Sequence, residues 1–340
     1  MRRLVECVPN FSEGNNLETI DAIRTCLLQS HGVSLLNVEP DKDYNRTVVT
    51  FIGDPDAVVE AAYQITKIAS ERIDMSQHKG EHPRIGAIDV MPFVPISDVT
   101  MNDCVKLANV YGERVSRELK IPIYLYEYAA RIPQRRNIAD IRKGEYEGLI
   151  EKLKDPDWKP DYGQAVFNTK SGATITGARK VLIAYNVNLN TKDDKLAHEI
   201  ALRVRESGRP MKDSYGNPMK NDSGEIIKIP GSLKSTKAIG VFLERYNIAQ
   251  VSINLVDYEI TSIHDAYEEV RKQANSLGVD VTGSELVGLI PLEAMKKAGK
   301  YYATGKDLAD QELISLAIDK LGLSQFEPFI AKKKIIEYQI

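Results

Sequence analysis

Apolar residues in this chain change period on the same schedule twice, and that repetition constrains the fold more than any single motif. Arg3–Val8 alternates as a short strand, Pro9–Gly14 turns, and Leu17–Leu28 carries Ile20, Ile23 and Leu27 at helical spacing. Val33–Val38 and Thr47–Ile52 are β-rich runs joined by the polar turn Glu39–Arg46. Asp54 and Pro55 start a helix, a capping side chain before a proline at the first helical position, with Val58, Ala62, Ile65 and Ala69 on one face. Ile88–Val94 closes the set as a strand. The order β-α-β-β-α-β is the split βαβ unit of ferredoxin-like folds, an antiparallel sheet with helices on one face. Met101–Leu119 and Ile121–Tyr126 enlarge it by a helix and a strand.

From Val181 the schedule restarts: strand Val181–Leu189, helix Lys192–Ser207, strands Ala238–Leu243 and Ala249–Val256, helix Ser262–Leu277 and strand Val279–Thr282. Ile263, Ala266, Tyr267, Val270 and Ala274 mark the buried face of the second helix. The two halves share architecture without a close residue-level repeat. Leu292–Ala298 and Asp310–Leu321 read as closing helices and Lys334–Ile340 as a last strand. The expected fold is α/β (α+β), two ferredoxin-like subdomains side by side, an arrangement that leaves a cleft for ligands.

Three stretches stand outside the schedule. Arg131–Leu153 is basic and irregular before turning helical; its charges read as a solvated face, with Arg135 and Arg136 able to hold a carboxylate. Lys154–Lys180 is punctuated by Pro156, Pro160, Gly163, Gly172 and Gly177, with Trp158, Tyr162 and Phe167 as aromatic surface. Composition favours an interdomain linker there, while glycines, hydroxyls and cations over Asn168–Lys180 also suit an anion cradle of backbone N–H groups. Gly208–Ser235, rich in glycine, lysine and asparagine, reads as a long flexible hairpin or partly disordered insertion.

The chemistry is expected in Asp74–Pro95, where His78 and His82, two of five histidines, stand beside Lys79, Glu81 and Arg84. Gly80 and Pro83 put His82 on a loop that leads into the strand Ile88–Val94. A histidine so held can trade a proton near neutral pH; Glu81 would raise its pKa, Lys79 and Arg84 would lower it. His78-Lys79-Gly80-Glu81-His82 also spells the H-x-x-E-H of a zinc hydrolase, which needs both histidines on one helical face. Gly80 and Pro83 oppose that helix, and downstream sequence offers no obvious third ligand. Two hydrogen-bonded surface histidines are the plainer alternative.

Composition narrows the rest. The chain has 340 residues, 43% hydrophobic and 27% charged, with a formal charge of −3, enough for two ordinary domains and without the basic excess of a nucleic-acid or membrane-surface protein. Cys7, Cys26 and Cys104 lack CxxC spacing and suit a reducing compartment. The opening MRRLVECVPNFSEG reads as a strand rather than a signal peptide, and no run reaches the ~20 apolar residues of a membrane span. A cytoplasmic location is the expectation.

Leu4–Gly14 (LVECVPNFSEG), Asn45–Phe51 (NRTVVTF), Asp74–Phe93, Gly172–Lys180 (GATITGARK), Ala249–Thr261 and Gly283–Leu292 together closely resemble the formiminotransferase domain of formiminotransferase-cyclodeaminase and of stand-alone glutamate formimidoyltransferases. The resemblance covers almost the whole chain. It implies transfer of the formimino group between N-formimino-L-glutamate and tetrahydrofolate, giving L-glutamate and 5-formiminotetrahydrofolate, a late step of histidine breakdown. It implies an N-terminal subdomain over 1–180, a C-terminal one over 181–326 with a tail at 327–340, a folate tunnel between the two, and a homodimer. With no cyclodeaminase part in the sequence, ammonia release is expected from another protein. His82 matches the family's catalytic histidine. Gly163, Gln164, Ala165, Val166, Phe167, Asn168, Thr169, Lys170, Ser171 and Gly172 match its folate-binding segment. Glu39 stands where the family pattern has an aspartate, and Gly208–Ser235 is longer than in the mammalian form.

Exchange of one amine for another on an amidine carbon requires no metal or redox cofactor. It needs a neutral attacking amine, a proton for the departing nitrogen and two reactants held close. His82 is expected to serve both proton steps. Glu81 or Glu39 would orient the imidazole or face the amidinium, and Arg46, Arg84 or Lys79 would bind glutamate carboxylates. The alternative from another class is a folate-binding module without turnover.

Overall fold

Residues 4–127 form the split βαβ order within a larger sheet; the computed structural model describes residues 3–42, 44–80 and 82–339. The first strand is broken into β1 (Leu4–Cys7) and β2 (Asn10–Phe11), followed by α1 (Leu17–Gln29), β3 (Val33–Asp41), β4 (Arg46–Gly53), α2 (Pro55–Arg72) and β5 (Ile88–Ser97). β3 pairs with β4, β4 with β1 and β2, and these with β5, all antiparallel. Asp54 caps α2 through its side chain and Pro55 opens it; α3 (Met101–Glu118) begins with a reciprocal Thr100–Asp103 capping box.

The sheet is wider than the sequence suggests. β6 (Ile123–Glu127) does not pair with β5; β7 (Thr174–Ala178) enters between them, parallel to both. The glycine-punctuated stretch is therefore not a linker at Thr174–Ala178, where all five residues are buried. Its proline and glycine signals belong to the approach, and an apolar β-branched run decides the rest. One face of the sheet buries Val5, Cys7, Val49, Phe51, Met91 and Phe93 with Ile23, Ile65 and Tyr111 of the three helices. Each such large side chain contributes roughly 1.5–3 kcal/mol by leaving water. On the opposite face α4 (Ile138–Arg142) and α5 (Glu145–Lys152) bring Ile141 and Leu149 onto Val90, Tyr124, Tyr126 and Ile175. The basic stretch is thus half core. Arg135 is 5% exposed and holds the chain's own Asp161 at 2.7 Å.

The chain divides after Lys180 into a second compact unit. It runs β8 (Ile183–Leu189), α6 (Asp194–Val204), the short pair β9 (Arg209–Pro210) and β10 (Lys228–Ile229), β11 (Thr236–Leu243), β12 (Ile248–Leu255), α7 (Ile263–Ser276) and β13 (Val281–Val287). The sheet order β11-β12-β8-β13 repeats the split βαβ topology. Ile183, Tyr185, Val187, Val251 and Ile253 alternate into its core. The last strand begins at Val281, later than the Val279–Thr282 expected, because Leu277 and Gly278 turn the chain after α7, Gly278 in the left-handed region, and Val279 and Asp280 stay outside the ladder.

The 208–235 insertion is regular. PMKDSYGN and PMKNDSGE are successive eight-residue repeats, and Asp213 and Asn221 close equivalent turns by accepting from Asn217 and Glu225. Met211, Met219 and Ile227, eight residues apart, complete a cycle in which each backbone N–H donates to another's carbonyl. α8 (Leu292–Ala303) and α9 (Asp310–Lys320) follow, then α10 (Ala331–Lys334). Residues 334–340 supply no strand among the described residues: Ile336–Tyr338 is a 3-10 turn, and only the Ile290–Ile335 bridge is strand-like. Ile335 and Ile336 are buried, so the stretch expected as a tail packs into the second unit.

Candidate functional site

Connection 73–87, between α2 and β5, carries both histidines and is stitched at each end to one segment. Near its start the Met75 N–H donates to the Lys170 carbonyl at 2.8 Å; near its end Ala87 N–H donates to Ser171 and Ala173 N–H to Ile85, at 2.9 and 3.0 Å. Ser12 Oγ also donates to the Gly86 carbonyl. In the middle, Gly80 lies against the β3–β4 turn so closely that a Cβ there would sit 2.4 Å from the Tyr44 carbonyl oxygen. Asn45 fastens that contact, donating to the Lys79 carbonyl at 2.8 Å and accepting from Gly14 N–H at 2.9 Å. No helix forms over the described residues of 73–87.

His82 is half-buried, with its ring edge against Tyr44 and its Nε2 accepting from Arg46 Nη1 at 2.7 Å. Because a guanidinium only donates, Nε2 carries a lone pair and the remaining proton sits on Nδ1, assigned from these partners. Burial, then the charges of Arg46 and Arg142, lower its pKa to about 3. His82 is therefore a free base at neutral pH.

Arg46 sits at the start of β4 opposite Asp41, on the sheet face that also carries Glu39 two positions along β3. Its Nε is buried without a partner, and burial followed by the Arg142 charge lowers its pKa. Arg142, at the end of α4, donates to Asp89, and its Nε is likewise buried and unpartnered. Asp89 is 1% exposed and also accepts from Ile85 N–H.

The other expected residues fall elsewhere. Arg84 is 6% exposed and spends its donors inside the unit: Nε on His78 Nδ1 at 3.2 Å, Nη1 on Glu145 and Glu147, Nη2 on Glu147. His78 Nε2 donates to the Asn45 carbonyl, so both its ring nitrogens are used, contrary to the zinc-site geometry. Among the described residues no group of three or more His, Cys, Asp or Glu is placed to hold a metal. Lys79 is exposed, and Glu39 is exposed and accepts from Asn37. Glu81 lies outside the described residues.

Gly163–Gly172 splits into two parts. Gly163, Gln164, Ala165 and Val166 are exposed, whereas Phe167 packs on Tyr146, Asn168 closes a turn onto Ser171 and Gly172, and Ser171 and Gly172 are buried. Thr169 and Lys170 are exposed side chains with engaged carbonyls.

Arg142 and Asp89 were not singled out from the sequence. Asp89 had a signal, one acid inside an apolar strand run; Arg142 is indistinguishable from its basic neighbours.

Fold and site together define a two-unit α/β protein with a neutral histidine base set between arginines. The model of the formiminotransferase domain's N-terminal subdomain matches residues 4–179, and that of the formiminotransferase domain matches residues 184–340. The chain belongs to the formiminotransferase domain family. It is 44% identical to a glutamate formimidoyltransferase of Streptococcus pyogenes, over 90% of this chain and 95% of that one. It is also 44% identical to a glutamate formimidoyltransferase of Thermoplasma acidophilum, over 88% and 92%. A formimidoyltransferase-cyclodeaminase of Rattus norvegicus is 48% identical over the whole chain, which spans 60% of that relative's length.

Proposed function

We propose that this protein is a glutamate formimidoyltransferase that moves the formimino group between N-formimino-L-glutamate and tetrahydrofolate in histidine degradation. The observation that carries the reading is His82, a neutral imidazole with its lone pair directed at a cation, on a loop stitched to the segment that matches the family's folate stretch. Membership of the family supplies the substrates.

His82 takes the proton from the attacking folate nitrogen as the new C–N bond forms. A tetrahedral carbon then holds both amines, and the same imidazole returns the proton to the departing glutamate nitrogen as the old C–N bond breaks. One base serves both directions because both bonds join nitrogen to one carbon. Asp41 and Glu39, on the Arg46 face of the hairpin, face the amidinium charge. Arg46 takes a substrate carboxylate, Lys79 is a solvent-side partner for anionic tails, and Arg84 positions the loop through His78. Glu81, next to His82 in sequence, supports the imidazole. Residues 163–172 take the folate, with Gln164–Val166 presenting exposed backbone and Phe167 an aromatic edge.

The proposal extends to a cytoplasmic homodimer with an N-terminal subdomain over 1–180, a C-terminal one over 181–326 and a tail at 327–340, and to a cyclodeaminase activity that consumes the product. The reaction is assigned without a metal. The test is a direct assay: tetrahydrofolate, N-formimino-L-glutamate and chelator with wild type and His82→Ala, following 5-formiminotetrahydrofolate by absorbance. Product from wild type alone is expected; folate binding without product from either protein would leave a binding module.

A further inference from the structure

His82 offers its Nε2 lone pair to Arg46 at 2.7 Å, and that lone pair is what a general base must keep open. Arg46 is itself under-compensated: its Nε is buried without a partner beside the like charge of Arg142. Arg142 repeats the pattern, one nitrogen on Asp89 and Nε buried and unpartnered. The charged groups acting on His82 come from three elements, Arg46 of β4, Arg142 of α4 and Asp41 of β3, with the Tyr44 ring from the turn. Asp41 accepts from Tyr44 N–H and Asp89 from Ile85 N–H, so neither carboxylate is devoted to its arginine alone.

We infer that Arg46 and Arg142 form a clamp for a carboxylate of the amino-acid substrate, and that filling it draws Arg46 off His82 and frees the base. The inference rests on the formimino-transfer reading and deepens it. A carboxylate has about four acceptor positions, enough for guanidinium N–H groups that lack partners. The Arg46–imidazole bond has one charged partner, whereas a carboxylate brings a full negative charge and two oxygens to the guanidinium, so it outcompetes the neutral imidazole for Arg46. Arrival of an anion and departure of the adjacent cation both raise the basicity of His82. Base strength is thereby coupled to the presence of the right substrate. An amidine without the carboxylate meets a base whose lone pair is occupied.

The test uses three formimino donors with tetrahydrofolate: N-formimino-L-glutamate, N-formimino-4-aminobutyrate, which lacks the α-carboxylate, and N-formimino-2-aminobutyrate, which lacks the side-chain carboxylate. In wild type at least one truncated donor loses about tenfold or more in kcat, beyond any rise in KM. In Arg46→Met, folded by circular dichroism, that kcat difference between donors collapses. Arg142→Met, folded by circular dichroism, raises KM for N-formimino-L-glutamate about tenfold or more. Equal kcat for all three donors in wild type, or an unchanged KM in Arg142→Met, overturns the clamp. If wild type transfers no formimino group at all, the reaction reading has failed instead. Calorimetric titration with L-glutamate then judges the clamp alone, with binding lost in Arg142→Met as the expected result and equal binding as the contrary one.

Discussion

The two units share a topology and differ in where they spend their extra residues. In the first the long connection follows the second helix, 73–87; in the second that connection is only 277–280, and the long one, 205–235, follows the first helix. The first insertion is pulled inward. Gly80 abuts the β3–β4 turn, Met75 and Ala87 are tied to 170–171, and a histidine base ends up among arginines. The second closes on itself through side-chain-capped turns, with Tyr215 89% exposed, and collects no comparable pair of orphaned cations. The same sheet topology therefore gathers a histidine among arginines where the insertion is stitched to other parts of its own unit. Pre-organisation separates the two, and so does residue supply, since 73–87 carries two histidines and 205–235 none.

The comparison breaks most visibly at His82. His82→Ala is expected to lower kcat by about 10²–10⁴-fold with unchanged circular dichroism, and an unaltered kcat would remove the histidine from the chemistry. Next comes the stitching: Gly80→Ala puts a Cβ against the Tyr44 carbonyl and shifts the loop, with an expected loss of about 10²-fold in kcat and a small change in Tm. Should Gly80→Ala be as active as wild type, close approach to the turn is not what positions His82.

Arg84→Met leaves Glu145, Glu147 and His78 without their buried partner and is expected to cost about 1–3 kcal/mol in denaturant unfolding. A second stability effect separates the loop by pH. Folded His82 has a pKa of about 3, below the ordinary 6.5, so the unfolded chain binds a proton that the folded one refuses. The stability tied to His82 is complete above pH 6.5 and falls as pH drops towards 3; wild type should lose stability relative to His82→Gln across that window. The smallest change falls in the second insertion. Gly216→Ala, at φ +85° with open space around it, should cost about 1 kcal/mol through the left-handed backbone and leave kcat untouched. Loss of activity there would show that the arm is not the inert counterpart drawn above.

Much of this was legible in the chain. Periodicity gave both split βαβ orders because each helix and strand buries one face, and the cap at Asp54 acts through a local hydrogen bond. Gly80 and Pro83 kept the histidines off a helix, and the resemblance singled out His82. Other features depended on partners distant in sequence. β7 lies in a stretch whose glycines imitate a linker, and its pairing between β5 and β6 is a long-range event. Arg84 and Arg142 look alike in sequence, yet one is saturated by Glu145 and Glu147 while the other keeps a buried Nε without a partner. By itself the sequence determined most elements, their order and the Asp54 cap, which are set by neighbours a few residues apart. Only the tertiary structure decided which cations meet His82 and which are spent, because burial and Coulomb interactions depend on distance in space.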